Sequence, residues 1–174
     1  MRTFLTALLC TVALVAADAG RPMQRFLLPD VNGVNHDSNE YRGKVILLEF
    51  MQTGCVHCAA FTNVLKQAQA RYGPRIHIVA VVNPPDTPAN VQKFVAQHHV
   101  NYPILLDAGR VAYAYIRKPE FDLPVLFLID ANGQIRQQYE YGPGTVQIFE
   151  GNGLFAQVES LLKAGSGAVA ELRR

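Results

Sequence analysis

The residues best equipped for chemistry are two cysteines with two residues between them, in Cys55-Val56-His57-Cys58. A thiolate attacks a disulfide, and a second thiol one helical turn away attacks the mixed disulfide that results, so this spacing suits reversible disulfide exchange. Upstream, Lys44-Val45-Ile46-Leu47-Leu48-Glu49-Phe50 is an almost unbroken apolar run after Arg42-Gly43, the pattern of a strand buried on both faces. Downstream, Phe61, Val64, Leu65, Ala68 and Tyr72 recur at helical spacing and end at Gly73-Pro74, where a helix should stop. The cysteines therefore fall where a strand passes into a helix, in the first turn. Unpaired N–H groups and the positive end of the helix dipole favour a thiolate there. Cys55 is expected to ionise more readily than a free thiol and to attack, with Cys58 resolving the intermediate. His57 adds a positive or polarised neighbour. A stabilised reduced pair makes a more oxidising couple, by roughly 30 mV for each 1.4 kcal/mol.

A structural zinc site is the first competitor, but a closed site usually takes four Cys or His ligands. The third cysteine, Cys10, lies far upstream; His36 and His77 stand alone, and His98-His99 sit together at an expected helix end. Redox chemistry is the reading these residues favour.

The elements that must position the pair fit one domain. The chain has 174 residues, 49% hydrophobic and 17% charged, with a formal net charge of +2; that suffices for one core, and no basic tract with interleaved aromatics points to nucleic acid. Residues 1–19 read as a signal peptide: Arg2, an apolar stretch from Phe4 to Val15, then Ala17-Asp18-Ala19 before Gly20. The apolar stretch is short for a membrane span, so no stable insertion is expected after cleavage and the protein is expected in the periplasm or secreted, with an uncleaved, membrane-anchored form as the alternative. The folded domain should occupy residues 20–164, with 165–174 as a flexible tail. Asn32-Gly33 between apolar flanks predicts an N-terminal hairpin. Arg75 to Val82 predicts a strand parallel to the first, and Thr87-Pro88 the cap and first residue of a helix carrying Val91, Phe94, Val95 and His98 on one face. A short strand through Tyr102 to Asp107, a helix through Val111, Ala112, Tyr115 and Ile116, an antiparallel pair turning at Ala131-Asn132-Gly133 and a last helix through Leu154, Val158 and Leu162 complete the reading.

With these segments placed, the chain resembles exported thioredoxin-fold proteins of the TlpA/ResA type, related to the AhpC/TSA group, over Phe26 to Leu162. The resemblance is carried by Phe26-Leu27-Leu28-Pro29-Asp30, Tyr41-Arg42-Gly43-Lys44-Val45, Cys55-Val56-His57-Cys58, Tyr102-Pro103-Ile104-Leu105-Leu106-Asp107 and the stretch from Leu123-Pro124 to Asn132-Gly133. It implies an α/β thioredoxin-like fold: a central mixed sheet flanked by helices, with an N-terminal β-hairpin and an inserted helix. It also implies that Pro124 is a cis-proline facing the redox pair and docking an extended substrate. Glu49, six residues before Cys55, matches the buried acid beneath the resolving cysteine, where a raised pKa would let it relay the Cys58 proton.

The resemblance further implies protein substrates with cysteines or disulfides, apocytochrome c among them, an upstream redox partner, no cofactor and no resident metal. Three departures bear on specificity: Gly54 replaces the usual Trp, His57 the frequent Pro, and Phe61 an acid found in some ResA-like proteins. The competing function is soft-metal binding, with Cu(I) held by Cys55, Cys58 and His98 or His99, although copper-delivery relatives space their cysteines by three residues. A peroxidase would need Pro and Thr where Leu48 and Gln52 stand.

Overall fold

The structure is a computed structural model that describes residues 20–171, with side chains as far as residue 165. The expected signal peptide and Cys10 lie outside the described residues. Along the chain the elements are β1 (Arg21–Pro22), β2 (Leu27–Pro29), β3 (Asn35–Asp37), β4 (Val45–Met51), α1 (Val56–Tyr72), β5 (Ile76–Val82), α2 (Pro88–His98), β6 (Ile104–Leu106), α3 (Arg110–Ile116), β7 (Val125–Ile129), β8 (Gln134–Glu140), α4 (Val146–Phe149) and α5 (Leu154–Glu171). Six strands form one sheet in the order β1-β8-β7-β4-β5-β6. The run β4-β5-β6 is parallel, and β7, β8 and β1 add antiparallel neighbours on the other side. This is the expected mixed sheet, and β2 pairs with β3 as the separate N-terminal hairpin.

All seven residues of β4 are buried, because strands flank it on both sides and helices cover both faces. Its side chains alternate. Val45, Leu47 and Met51 join Phe61 and Leu65 of α1, Phe94 of α2, and Leu154 and Val158 of α5. Ile46, Leu48 and Phe50 join Ala112, Tyr115 and Ile116 of α3, with Met23 and Phe26. On that second face the rings of Phe50, Tyr115 and Phe127 meet at centroid distances of 5.5, 5.8 and 5.3 Å, tilted or edge-on as aromatic quadrupoles prefer. Glu49 belongs by parity to the first face, under α1.

Both Asn-Gly turns are built alike. Asp30 Oδ1 accepts the N–H groups of Asn32 and Val34 at 2.8 and 3.0 Å, and Asp130 Oδ1 accepts those of Asn132 and Gln134, both at 2.9 Å. Gly33 and Gly133 each adopt φ 76°, which a residue without Cβ enters freely. Asp130 also receives Arg136 Nε at 2.8 Å. Asp130→Ala strips two amides and a guanidinium of one acceptor group and should destabilise the fold by about 1–3 kcal/mol, read as a lower urea midpoint with unchanged slope.

The last helix, expected to end near Ala164, runs on to Glu171. No proline follows to interrupt it, and Ala164, Ala168 and Ala170 favour continuation. Among the described residues no helix is long and apolar enough to cross a membrane.

Candidate active site

β4 delivers the chain to the top of the sheet, and α1 begins there with Cys55 as its N-cap. Cys55 has extended backbone angles, φ −84° and ψ 117°, and its Sγ accepts the Cys58 N–H at 3.1 Å. The sulfur thus sits one residue outside the helix, not within its first turn as the periodicity suggested, and it already takes the hydrogen bond that an N-cap oxygen would take. Cys55 and Cys58 are joined as a disulfide, with Cα atoms 5.2 Å apart. Cys58 is fully buried and Cys55 half-buried. Only Cys55 is open to an incoming sulfur. Val56 and His57 point outward beside it, Val56 being 77% exposed.

Across from the pair, the Leu123–Pro124 peptide at the mouth of β7 is cis, and the Leu123 carbonyl oxygen lies 3.7 Å from Cys55 Sγ. That oxygen can receive a thiol proton from Cys55 when the pair is reduced.

Glu49 has no exposed surface, and neither carboxyl oxygen has a hydrogen-bond partner among the described residues. Burial pushes its pKa up from 4.5 to about 8. It is paired with Ala80 on β5, which is in turn paired with Ile104 on β6. Tyr102, two residues before Ile104, is buried in the same core cluster as Ala80. Burial, with a further contribution from Glu49, pushes the Tyr102 phenol well above the ordinary tyrosine range. Thr62 of α1, also fully buried, donates its hydroxyl to the Cys58 carbonyl at 3.1 Å. A small polar enclave therefore lies inside the apolar layer that holds Cys58.

Two groups at the mouth of the site escaped the sequence reading. The Asp86 carboxylate receives the Thr53 N–H at 2.8 Å and also the Thr53 hydroxyl. It fastens the turn that leads into Cys55, whose own N–H reaches back to Gln52 O at 3.1 Å. A signal was available, since parallel pairing of β4 with β5 brings the loops after both strands to the same edge of the sheet. Asp86→Ala should lower catalysed insulin reduction about tenfold through a looser Cys55 while the melting temperature moves little. The second is Tyr141, whose ring stacks on His57 with centroids 4.0 Å apart and planes at 19°. Nothing in the local pattern at the end of β8 pointed to it.

The soft-metal alternative finds no third ligand. Among the described residues no group of three His, Cys, Asp or Glu side chains is placed to hold an ion. The His98 ring packs on Phe94 at 4.4 Å, and the His98 carbonyl receives Lys66 Nζ at 2.8 Å.

A sulfur at a helix start, a buried partner one turn on and a proline-led strand facing them define a thioredoxin-fold thiol–disulfide oxidoreductase. The chain belongs to the AhpC/TSA family, whose model matches residues 19–138. Thiol-disulfide oxidoreductase ResA of Geobacillus kaustophilus is 31% identical over 123 residues, covering 70% of this chain and 69% of its own. ResA of Bacillus subtilis is 32% identical over 118 residues, covering 67% and 64%. A Chlorobium tepidum protein described as a thiol:disulfide interchange protein DsbE superposes with a TM-score of 0.71 at 27% identity, over 83% of this chain and 98% of its own. A secreted disulfide oxidoreductase of Mycobacterium tuberculosis shares the fold at 24% identity, with a TM-score of 0.60 over 68% of this chain and 84% of its own.

Proposed function

We propose that this oxidoreductase is exported and exchanges disulfides with cysteine-containing protein substrates, apocytochromes c among them, and that an upstream redox partner recharges it. The observation that carries the reading is the asymmetry of the pair: Cys55 open at the helix start, Cys58 sealed beneath it. In the reducing direction the Cys55 thiolate attacks one sulfur of a substrate disulfide. A mixed disulfide forms, and the other substrate sulfur leaves as a thiolate and takes a proton from solvent. Cys58 then gives up its proton, attacks the Cys55 sulfur, closes the Cys55–Cys58 disulfide and releases the substrate as a dithiol; two electrons have passed to the substrate.

Glu49 is the proposed acceptor of the Cys58 proton. A carboxyl that titrates near 8 exchanges a proton in either direction close to neutral pH. Pro124 and the Leu123 carbonyl beside it are proposed to seat the substrate chain in extended form, and His57 to support the thiolate. Catalysed reduction of insulin by dithiothreitol tests the exchange, and a rate no faster than dithiothreitol alone would overturn it. Export is tested by N-terminal sequencing of the mature protein, which should begin at Gly20.

A further inference from the structure

We propose that Tyr141 is a positioning residue of the redox pair: its ring holds the His57 imidazole beside Cys55 and thereby sets the balance between dithiol and disulfide. The inference rests on the exchange reading above. His57 lies exposed in the first turn of α1, where a side chain ordinarily samples several rotamers. Here its ring lies nearly parallel to that of Tyr141, 4.0 Å away. Tyr141 is itself held from two directions. Its N–H donates to the Pro124 carbonyl at 3.0 Å, and its ring packs on Phe149 at 5.6 Å. Phe149 in turn meets Phe61 of α1 edge-on at 5.0 Å.

Tyr141 thus bridges the two elements between which Cys55 Sγ sits, the start of α1 and the proline-led β7. The imidazole lies flat against the phenol ring, so the stack fixes the direction of the histidine ring and of its N–H dipole. A ring N–H held in one direction at the helix start supports the Cys55 thiolate, hence the reduced pair, and makes the couple more oxidising. The chain has no Trp, and this tyrosine, brought from the end of β8, is the aromatic group at the active-site histidine.

The test is equilibration with glutathione. The Cys55 thiolate attacks glutathione disulfide and releases one glutathione thiolate. Cys58 gives up its proton, which ends in the buffer, attacks the Cys55 sulfur and releases the second thiolate, so two electrons pass from the protein to glutathione. Tyr141→Leu should shift this equilibrium about two- to fivefold toward the protein disulfide, roughly 10–20 mV more negative. Tyr141→Phe, which keeps the ring face, should hold the wild-type value, and Tyr141→Leu should add no shift in a His57→Gln background. An unchanged Tyr141→Leu equilibrium, an equal shift without His57, or a Tyr141→Phe shift as large as the leucine variant's would each overturn the inference.

A second readout needs no variant: the His57 ring protons of the wild type should be displaced upfield by the tyrosine ring current, and free-histidine positions would overturn the stack. A wild-type pair that never equilibrates with glutathione is a separate result. It defeats the exchange reading itself.

Discussion

Cys55→Ser is expected to lower catalysed insulin reduction by at least about a thousandfold, to the rate of dithiothreitol alone, with the fold intact. A serine hydroxyl is not ionised at neutral pH and does not attack sulfur. It is, however, a good N-cap, so it can accept the Cys58 N–H that Cys55 Sγ accepts at 3.1 Å and preserve the start of α1. Loss of activity without loss of helix is therefore the signature. Cys58→Ser should behave differently. The open Cys55 still attacks, but no second thiol of the protein resolves the product, so when the reduced variant is mixed with insulin after dithiothreitol has been removed, a mixed disulfide accumulates and is visible by mass spectrometry of the intact protein. Equal partial activity in both serine variants would sink the assignment of attacker and resolver. That assignment rests on Cys58 being sealed from solvent while Cys55 is not.

The second large effect is on stability and concerns Glu49. In the unfolded chain this carboxyl has its ordinary proton affinity; in the folded protein burial raises its pKa from 4.5 to about 8. Between those values the folded state binds more protons than the unfolded one, so stability falls as pH rises across the window and levels off above it. The full difference corresponds to on the order of 5 kcal/mol at about 1.4 kcal/mol per tenfold in proton affinity. Glu49→Gln keeps the shape and removes the titration. Relative to wild type, it should gain several kcal/mol at pH 9 and almost nothing at pH 4.5. Urea unfolding of the oxidised protein across this range measures the gap, and parallel curves for the two proteins would refute a buried, partnerless carboxyl. The same substitution should slow resolution of the mixed disulfide, since Cys58 would lose its proposed proton acceptor.

Much of the fold was legible because local chemistry repeats it. The apolar run from Val45 to Phe50 could only be a strand covered on both faces, and a carboxylate inside it at Glu49 had to be either buried or at a frayed end; the structure places it fully inside. Thr87 caps α2 with Pro88 as its first residue, as their types required. Both Asn-Gly turns formed where glycine permits positive φ. The site was legible only along the chain. Asp86 stood in a stretch read merely as a break, and Tyr141 at the end of a strand, because each acts on a residue of a distant segment. The boundary of α1 was also misplaced by one residue. Helical periodicity marks which face is buried, whereas the cap depends on backbone angles at a single position.

Composition and order determined that a thiol pair would stand at the junction of a buried strand and a helix, since solvation and helix periodicity are properties of neighbouring residues. Only the folded sheet decided what surrounds that pair. The register of β4 against β5 sets Glu49 beside Ala80 and within the field of Tyr102, and the antiparallel return through β7 and β8 brings Leu123 to Cys55 and Tyr141 to His57. Those meetings depend on strand pairing between remote segments, which no local pattern encodes, because the free energy that selects them comes from the closing of the whole core.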